Sequence, residues 1–249
     1  MVARLTLGIC FLACGYYQAL FGPELPFAQF AGAYAHVLPF LFYTLGLLLI
    51  FNLFVRVAGA VGIIIFAFAV FRYGYYMLTY TNYLGEMLVA FFLGGGAYSL
   101  DRLVFGARSR FDEWFAPLEK YSFLILRVLF GVGVVFASFY AKFWHSQLAL
   151  DTVVQYHLTN YFHFAPLFVV LGAFIIECLI GLFFIIGFEV RFTAMFFLVF
   201  LFLSLLYFGE VIWPHLVLLG VNVTMLLHGY DRYTVGALLG RKTHLEPVT

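Results

Sequence analysis

Charge is scarce in this chain. Lys, Arg, Asp and Glu together make 10% of its 249 residues, and hydrophobic residues make 65%. A soluble domain carries about 25% and about 45–50%, so a water-soluble fold of this length could not hide so much apolar surface. The net charge is only +1 and no basic tail is present, which gives nucleic acid no footing. No Gly-x-Gly-x-x-Gly follows a strand and no Cys-x-x-Cys-His occurs, so the motifs for a flavin and for covalent c-type haem are missing. Cysteine is rare as well. Cys10, Cys14 and Cys178 all fall inside apolar runs and read as buried small hydrophobes rather than a metal or redox set.

Long apolar runs take the place of charge. They cover about 3–21, 37–55, 57–73, 84–100, 122–144, 164–187, 192–208 and 211–229. Each is continuous rather than alternating, which suits helices crossing a ~30 Å hydrocarbon core rather than barrel strands. The expected fold is all-α, a polytopic membrane protein of eight transmembrane helices. With both termini in the cytoplasm, Arg4, Arg56, Arg102, Arg108, Arg110, Lys120, Arg127, Arg191, Arg232, Arg241 and Lys242 fall on that side, and only Arg72 and Lys142 on the other. That is a positive-inside pattern, and an odd number of spans would scramble it. The start, with Arg4 before an apolar run into Phe11-Leu12-Ala13-Cys14, has the outline of a signal peptide. It reads as a retained span, because cleavage would remove the first helix of a repeated unit.

The chain states several motifs twice. His-x-x-Pro begins an apolar run at His36–Pro39 and at His163–Pro166. Gly-Glu opens another at Glu86 and Glu210. Asp-Arg-x-x-x-Gly closes each half at Asp101-Arg102 and Asp231-Arg232. This divides the chain into a four-helix repeat at 1–106, a cytoplasmic linker at 107–121, a second four-helix repeat at 122–236 and a cytoplasmic tail at 237–249. Four spans per unit make the repeats parallel, related by an axis along the membrane normal. The linker is expected to be an interfacial helix with Phe111, Trp114, Phe115 and Leu118 toward lipid. In the first helix of each half, Arg4, Gly8, Phe11, Gly15, Ala19 and Gly22 match Arg127, Gly131, Val134, Ser138, Lys142 and His145 on one face. Arg4 and Arg127 read as anchors to lipid phosphate or helix C-termini. His36 and His163 read as helix caps, and Arg72 with Glu86 as an ion pair beside an outer loop.

What is said once lies in the second half. Lys142 and His145 replace Ala19 and Gly22. Glu177 lies in mid-run, where the first half has Ile50 or Phe42. An intramembrane acid usually faces the bundle interior and pairs or protonates. His215 and Asn222 are i, i+7 on one helix, next to Pro214. Lys142, His145, Glu177, His215 and Asn222 are therefore the candidate polar intramembrane site. The dispersed histidines and the acids Glu24, Glu86, Asp151 and Glu210 show no spacing specific for a metal or haem.

The second half, about 120–236, resembles the DoxX/DoxD family of small four-helix membrane proteins. The residues that carry this are Leu126-Arg127-x3-Gly131, Lys142 and Glu177-x3-Gly181-x5-Gly187-x3-Arg191; the first half is a weaker, degenerate copy. The resemblance implies a bacterial or archaeal inner-membrane protein; some members of that family are membrane subunits of a thiosulfate:quinone oxidoreductase or partners of oxidative-stress enzymes, and many have no assigned activity. Two fused modules depart from the usual single one. Three functions are open: a redox-linked subunit holding quinone among the five candidate residues, a structural or accessory subunit, and a small proton-coupled transporter. In each the partners are lipid and other membrane subunits, and no catalytic residue is assigned.

Overall fold

A computed structural model describes residues 2–96, 99–100 and 110–239, with the backbone alone for 110–113. Among these residues every regular element is helical. The first part holds α1 (Val2–Tyr17), the short α2 (Phe27–Ala31), α3 (Leu38–Ile50), α4 (Val55–Tyr73) and α5 (Thr81–Leu93). Then follow α6 (Arg110–Glu119), α7 (Ser122–Ser138), α8 (Ser146–Gln155), α9 (Pro166–Ile186), α10 (Val190–Phe208), α11 (His215–His228) and the brief α12 (Val235–Leu238).

Four described helical stretches are long and apolar enough to cross a membrane: Val55–Leu93, Ser122–Trp144, Pro166–Ile186 and Val190–Phe208. The first of these is not one rod. Its path turns at Gly74, which has φ +63°, and a 3-10 stretch over Gly74–Tyr80 leads into α5. The Arg56 guanidinium at the start of α4 donates to the Phe91 and Phe92 carbonyls at the end of α5, at 3.2 and 3.0 Å. The two helices therefore run antiparallel against each other. α1 and α11 are shorter apolar helices, and the segment Phe27–Tyr34 meets α3 at 111°.

Neighbouring antiparallel helices pack closely where glycines let their backbones meet. A Cβ on Gly8 of α1 would lie 3.1 Å from the Gly46 carbonyl of α3, and one on Gly131 of α7 would lie 2.5 Å from the Gly181 carbonyl of α9. In lipid, where burial gives helices little reason to associate, such close van der Waals approach holds them together. The pairings come in twos. α1 packs on α3 as α7 packs on α9; α4 on α5 as α10 on α11; and α1 lies on α11 as α7 lies on α5.

Landmarks 135 residues apart play matching parts. Gly74 and Gly209 end α4 and α10 with φ +63° and +60°. Asn52 and Gly187 leave α3 and α9 with φ +59° and +72°, and Phe54 and Glu189 follow at +47° and +40°. Arg56 lies against Gly94, and Arg191 against Gly229. This register differs from that of the sequence motifs. Gly85 and Glu86 sit inside α5, whereas Gly209 and Glu210 end α10 and enter a loop. Pro39 and Pro166 both stand in the first turn of a helix, but that helix has 13 residues in α3 and 21 in α9. Asp101 and Arg102 lie outside the described residues.

Arginines gather at one end of the bundle. Arg127 is fully buried. It donates to the carbonyl of Phe184, to that of Ile185 at 3.0 Å and to that of Tyr233 at 3.4 Å. It thus binds the C-terminal end of α9, the second of the two partners expected for it. Arg4 donates to the Asn52 side chain. Asp231 accepts from the Tyr233 amide at 2.9 Å, and Arg232 covers the Tyr233 and Tyr121 rings.

Other expectations change. Trp114 of α6 is exposed, but Phe115 turns inward against Phe91, under the Arg56 guanidinium. Neither His36 nor His163 stands at the N-cap of α3 or α9. The residues at the cap positions of α3 and α9 are Val37 and Ala165, with no side-chain bond, while the His36 ring meets the Ala33 carbonyl at 2.8 Å.

The glycine contact is the testable hinge of this packing. Gly181→Val would push a branched side chain into Val135 and the Gly131 carbonyl, 2.8 Å from its Cβ. A cost of about 1–3 kcal/mol is expected from overpacking, read as a lower thermal unfolding midpoint in detergent. An unchanged midpoint would contradict the α7–α9 contact.

Candidate functional site

Lys142 and Glu177, 35 residues apart in sequence, meet. Lys142 Nζ lies 2.7 Å from Glu177 Oε2, with both side chains less than one-fifth exposed. Glu177 is the twelfth residue of the 21-residue α9, so it stands near the middle of that helix. α7 continues past Ser138 as a π-helical turn over Phe139–Trp144, and Lys142 sits on it. α1, by contrast, ends at Tyr17, so Ala19 and Gly22 are off the helix where Lys142 is on it. π-turns widen the ring of backbone hydrogen bonds and often mark functional places.

Aromatics neighbour the pair along both helices. Phe139 meets Phe174 edge-on at 4.9 Å, and Phe143 stacks on Phe174 at 6.1 Å. Phe143 and Trp144 are exposed. Ser138, one turn before Lys142, donates to the Phe174 carbonyl at 3.4 Å. A charged pair thus lies on an aromatic seam between α7 and α9. A lone carboxylate at that depth would be costly; the ammonium beside it supplies both a countercharge and a hydrogen bond.

His215 has a different partner. Its Nε2 lies 3.1 Å from Glu210 Oε2, and its Nδ1 meets the Val211 carbonyl at 2.9 Å. The hydrogen bond from His215, helped by the positive charges of His215 and Lys142, holds the Glu210 carboxyl below its ordinary range against the opposing effect of burial. Lys142 therefore lies within electrostatic reach of both pairs. Glu24 joins the same end of the bundle. It accepts from Tyr76 at 3.0 Å and from Tyr80, and Tyr76 packs on Tyr140 of the π-turn at 4.9 Å.

Two candidate residues are not part of this gathering. His145 is exposed, with its ring on Tyr140 at 4.3 Å. Asn222 is fully buried two turns along α11 from His215, where its Nδ2 donates to the Leu218 carbonyl at 2.8 Å. Its Oδ1 has no partner among the described residues.

Glu86 differs most from its sequence reading. It is not beside Arg72, which is exposed and reaches the Gln29 carbonyl at 3.5 Å. Glu86 is the sixth residue of α5 and is 2% exposed. Cys10 and Cys14 are buried too, as expected, whereas Cys178 is only partly buried. Among the described residues no group of three or more His, Cys, Asp or Glu is placed to hold a metal ion.

Comparison with protein-family models, with curated proteins and with solved structures finds no match. The reading of the site therefore rests on its geometry.

Two outcomes follow from that geometry. Lys142→Met leaves Glu177 unpaired in a poorly solvated place and should cost about 3 kcal/mol, as for one half of a buried ion pair. Lys142→Met combined with Glu177→Leu should recover most of the loss in thermal unfolding. If the double variant is no better than the single, the pair is not coupled.

The second outcome concerns acid. Because the Glu210 carboxyl is held down in the folded protein, its stabilising effect is complete above the ordinary glutamate pKa. It disappears as pH falls through the lowered value. His215→Ala should shrink this acid-side loss of unfolding temperature; an unchanged acid profile would exclude the pair as its source.

Proposed function

We propose that this chain is an integral membrane protein of eight crossings, made of two tandem four-helix units, that holds a quinone-like head group on the Lys142–Glu177 seam. The single observation that carries the site is the ion pair itself, set in the middle of α9 on a π-turn and flanked by exposed aromatic rings. A quinone needs an apolar, aromatic surface and a few polar groups to bond its carbonyls and move protons. Lys142 would donate to a carbonyl oxygen, Glu177 would exchange a proton with it, and Phe143 and Trp144 would meet the ring. Electrons would come from a partner subunit, in keeping with the resemblance of the second half to DoxX/DoxD proteins.

Eight crossings are supported by the antiparallel run of α1, α3, α4, α5, α7, α9, α10 and α11 and by the fold-back at Gly74. Tandem units are supported by the matched helix pairings and the 135-residue register. The arginine end, read by the positive-inside rule, would face the cytoplasm with both termini, and the Lys142 end would face outward.

The test is direct. The protein purified in mild detergent should carry extractable quinone, and added ubiquinone analogue should quench Trp144 fluorescence. Lys142→Met should weaken that quenching by about tenfold, the worth of roughly one charge-assisted hydrogen bond. Equal binding by wild type and Lys142→Met would overturn the site. Normal binding with no co-purifying membrane subunit would leave the site and remove the redox-complex reading.

A further inference from the structure

Glu86 is an acid that the proposed quinone site does not use, and its surroundings suit only one of its protonation states. The side chain is 2% exposed at mid-α5. Its Oε2 has no hydrogen-bond partner among the described residues. Its Oε1 has one neighbour, the Thr6 hydroxyl of α1, at 3.4 Å.

A carboxylate needs donors, and Thr6, Cys10 and Tyr83 direct their protons to backbone carbonyls. A threonine hydroxyl has one proton, and that of Thr6 lies 2.9 Å from the Ala3 carbonyl and 3.2 Å from the Val2 carbonyl. With the proton there, Thr6 offers Glu86 a lone pair. The titratable groups that act on Glu86 are Cys10 of α1, Tyr83 of α5 and, as its one cation, the N-terminal ammonium, whose charge opposes the effect of burial without outweighing it. The Cys10 thiol donates to the Trp213 carbonyl at 3.2 Å, and the Tyr83 hydroxyl to the Pro214 carbonyl at 3.2 Å. Asn82, one turn earlier on α5, carries a further acceptor without a partner, its Oδ1. α11 closes the side facing α1, since any Cβ on Gly220 would meet the Thr6 side chain.

A neutral carboxylic acid resolves this inventory, because it brings its own proton and can donate it to Thr6 Oγ. Burying the ionised form without donors is costlier than keeping one proton. We propose that Glu86 is a proton-binding site between α1, α5 and α11, a neutral acid at rest that exchanges its proton when these helices part. It stands apart from the Lys142–Glu177 seam and does not depend on the quinone reading.

Infrared difference spectroscopy on the full chain in lipid vesicles tests this. At neutral pH in sodium-free buffer, wild type should show a protonated-carboxyl C=O band that is absent in Glu86→Gln and retained in Lys142→Met. In heavy water the band should shift as the acid proton exchanges, and added sodium chloride should leave it in place. If Glu86→Gln does not fold, Glu86→Asp serves instead, with a displaced band expected. No difference between wild type and variant would show an ionised Glu86 and overturn the proposal. A band abolished by sodium would replace the proton with a metal cation, and a band that never shifts in heavy water would make the acid structural only; either result also overturns it.

Discussion

Arginine side chains tie descending helix ends to ascending helix starts, and the remaining geometry hangs on that tie. The last carbonyls of a helix have no partner in their own backbone. Arg56 takes those of Phe91 and Phe92, and Arg127 those of Phe184 and Ile185. Arg191 lies against Gly229 and over the Tyr230 ring at the end of α11. The guanidinium serves here because it is always charged and offers several donors in a fixed fork. With one end of each hairpin fixed, the glycine contacts higher up set how close the helices lie. That spacing brings α7 and α9 near enough for Lys142 to reach Glu177.

The two acids illustrate two ways of placing a carboxyl in an apolar bundle. Glu177 keeps a cation at 2.7 Å and stays partly open to the surroundings. Glu86 keeps no cation among the described residues and is closed in on all sides. The first arrangement presents polarity to something arriving from the lipid side. The second, as proposed above, holds one proton away from solvent. A membrane protein with both can handle a polar head group and a proton at separate places.

Much of the helix plan is legible in the sequence, because continuous apolar runs and flanking arginines follow directly from bilayer thickness and charge. The shared face of α1 and α7 is legible too, through the spacing of Arg4, Gly8, Arg127 and Gly131. Lys142 and Glu177 stand out singly as polar residues in apolar runs, yet their meeting depends on the π-turn and on antiparallel register, which no local pattern encodes. Glu86 is misplaced for a specific reason. Matching Gly85-Glu86 to Gly209-Glu210 puts it at a loop beside Arg72. The turn at Gly74 instead starts α5 at Thr81 and carries Glu86 into the helix interior. Short dipeptide matches align chemistry, whereas positive-φ positions such as Asn52, Gly74, Gly187 and Gly209 align geometry.

The unequal lengths of α3 and its counterpart α9 have a mechanical consequence. α3 has 13 residues and α9 has 21, or about 20 Å against about 30 Å at 1.5 Å per residue, whereas α4 and α10 match at 19 each. In a bilayer, lipid beside α3 would meet a shorter helix than lipid beside α9. The lipid would thin there, or the bundle would lean. The difference would make the chain a wedge, with the Lys142–Glu177 seam on its taller flank.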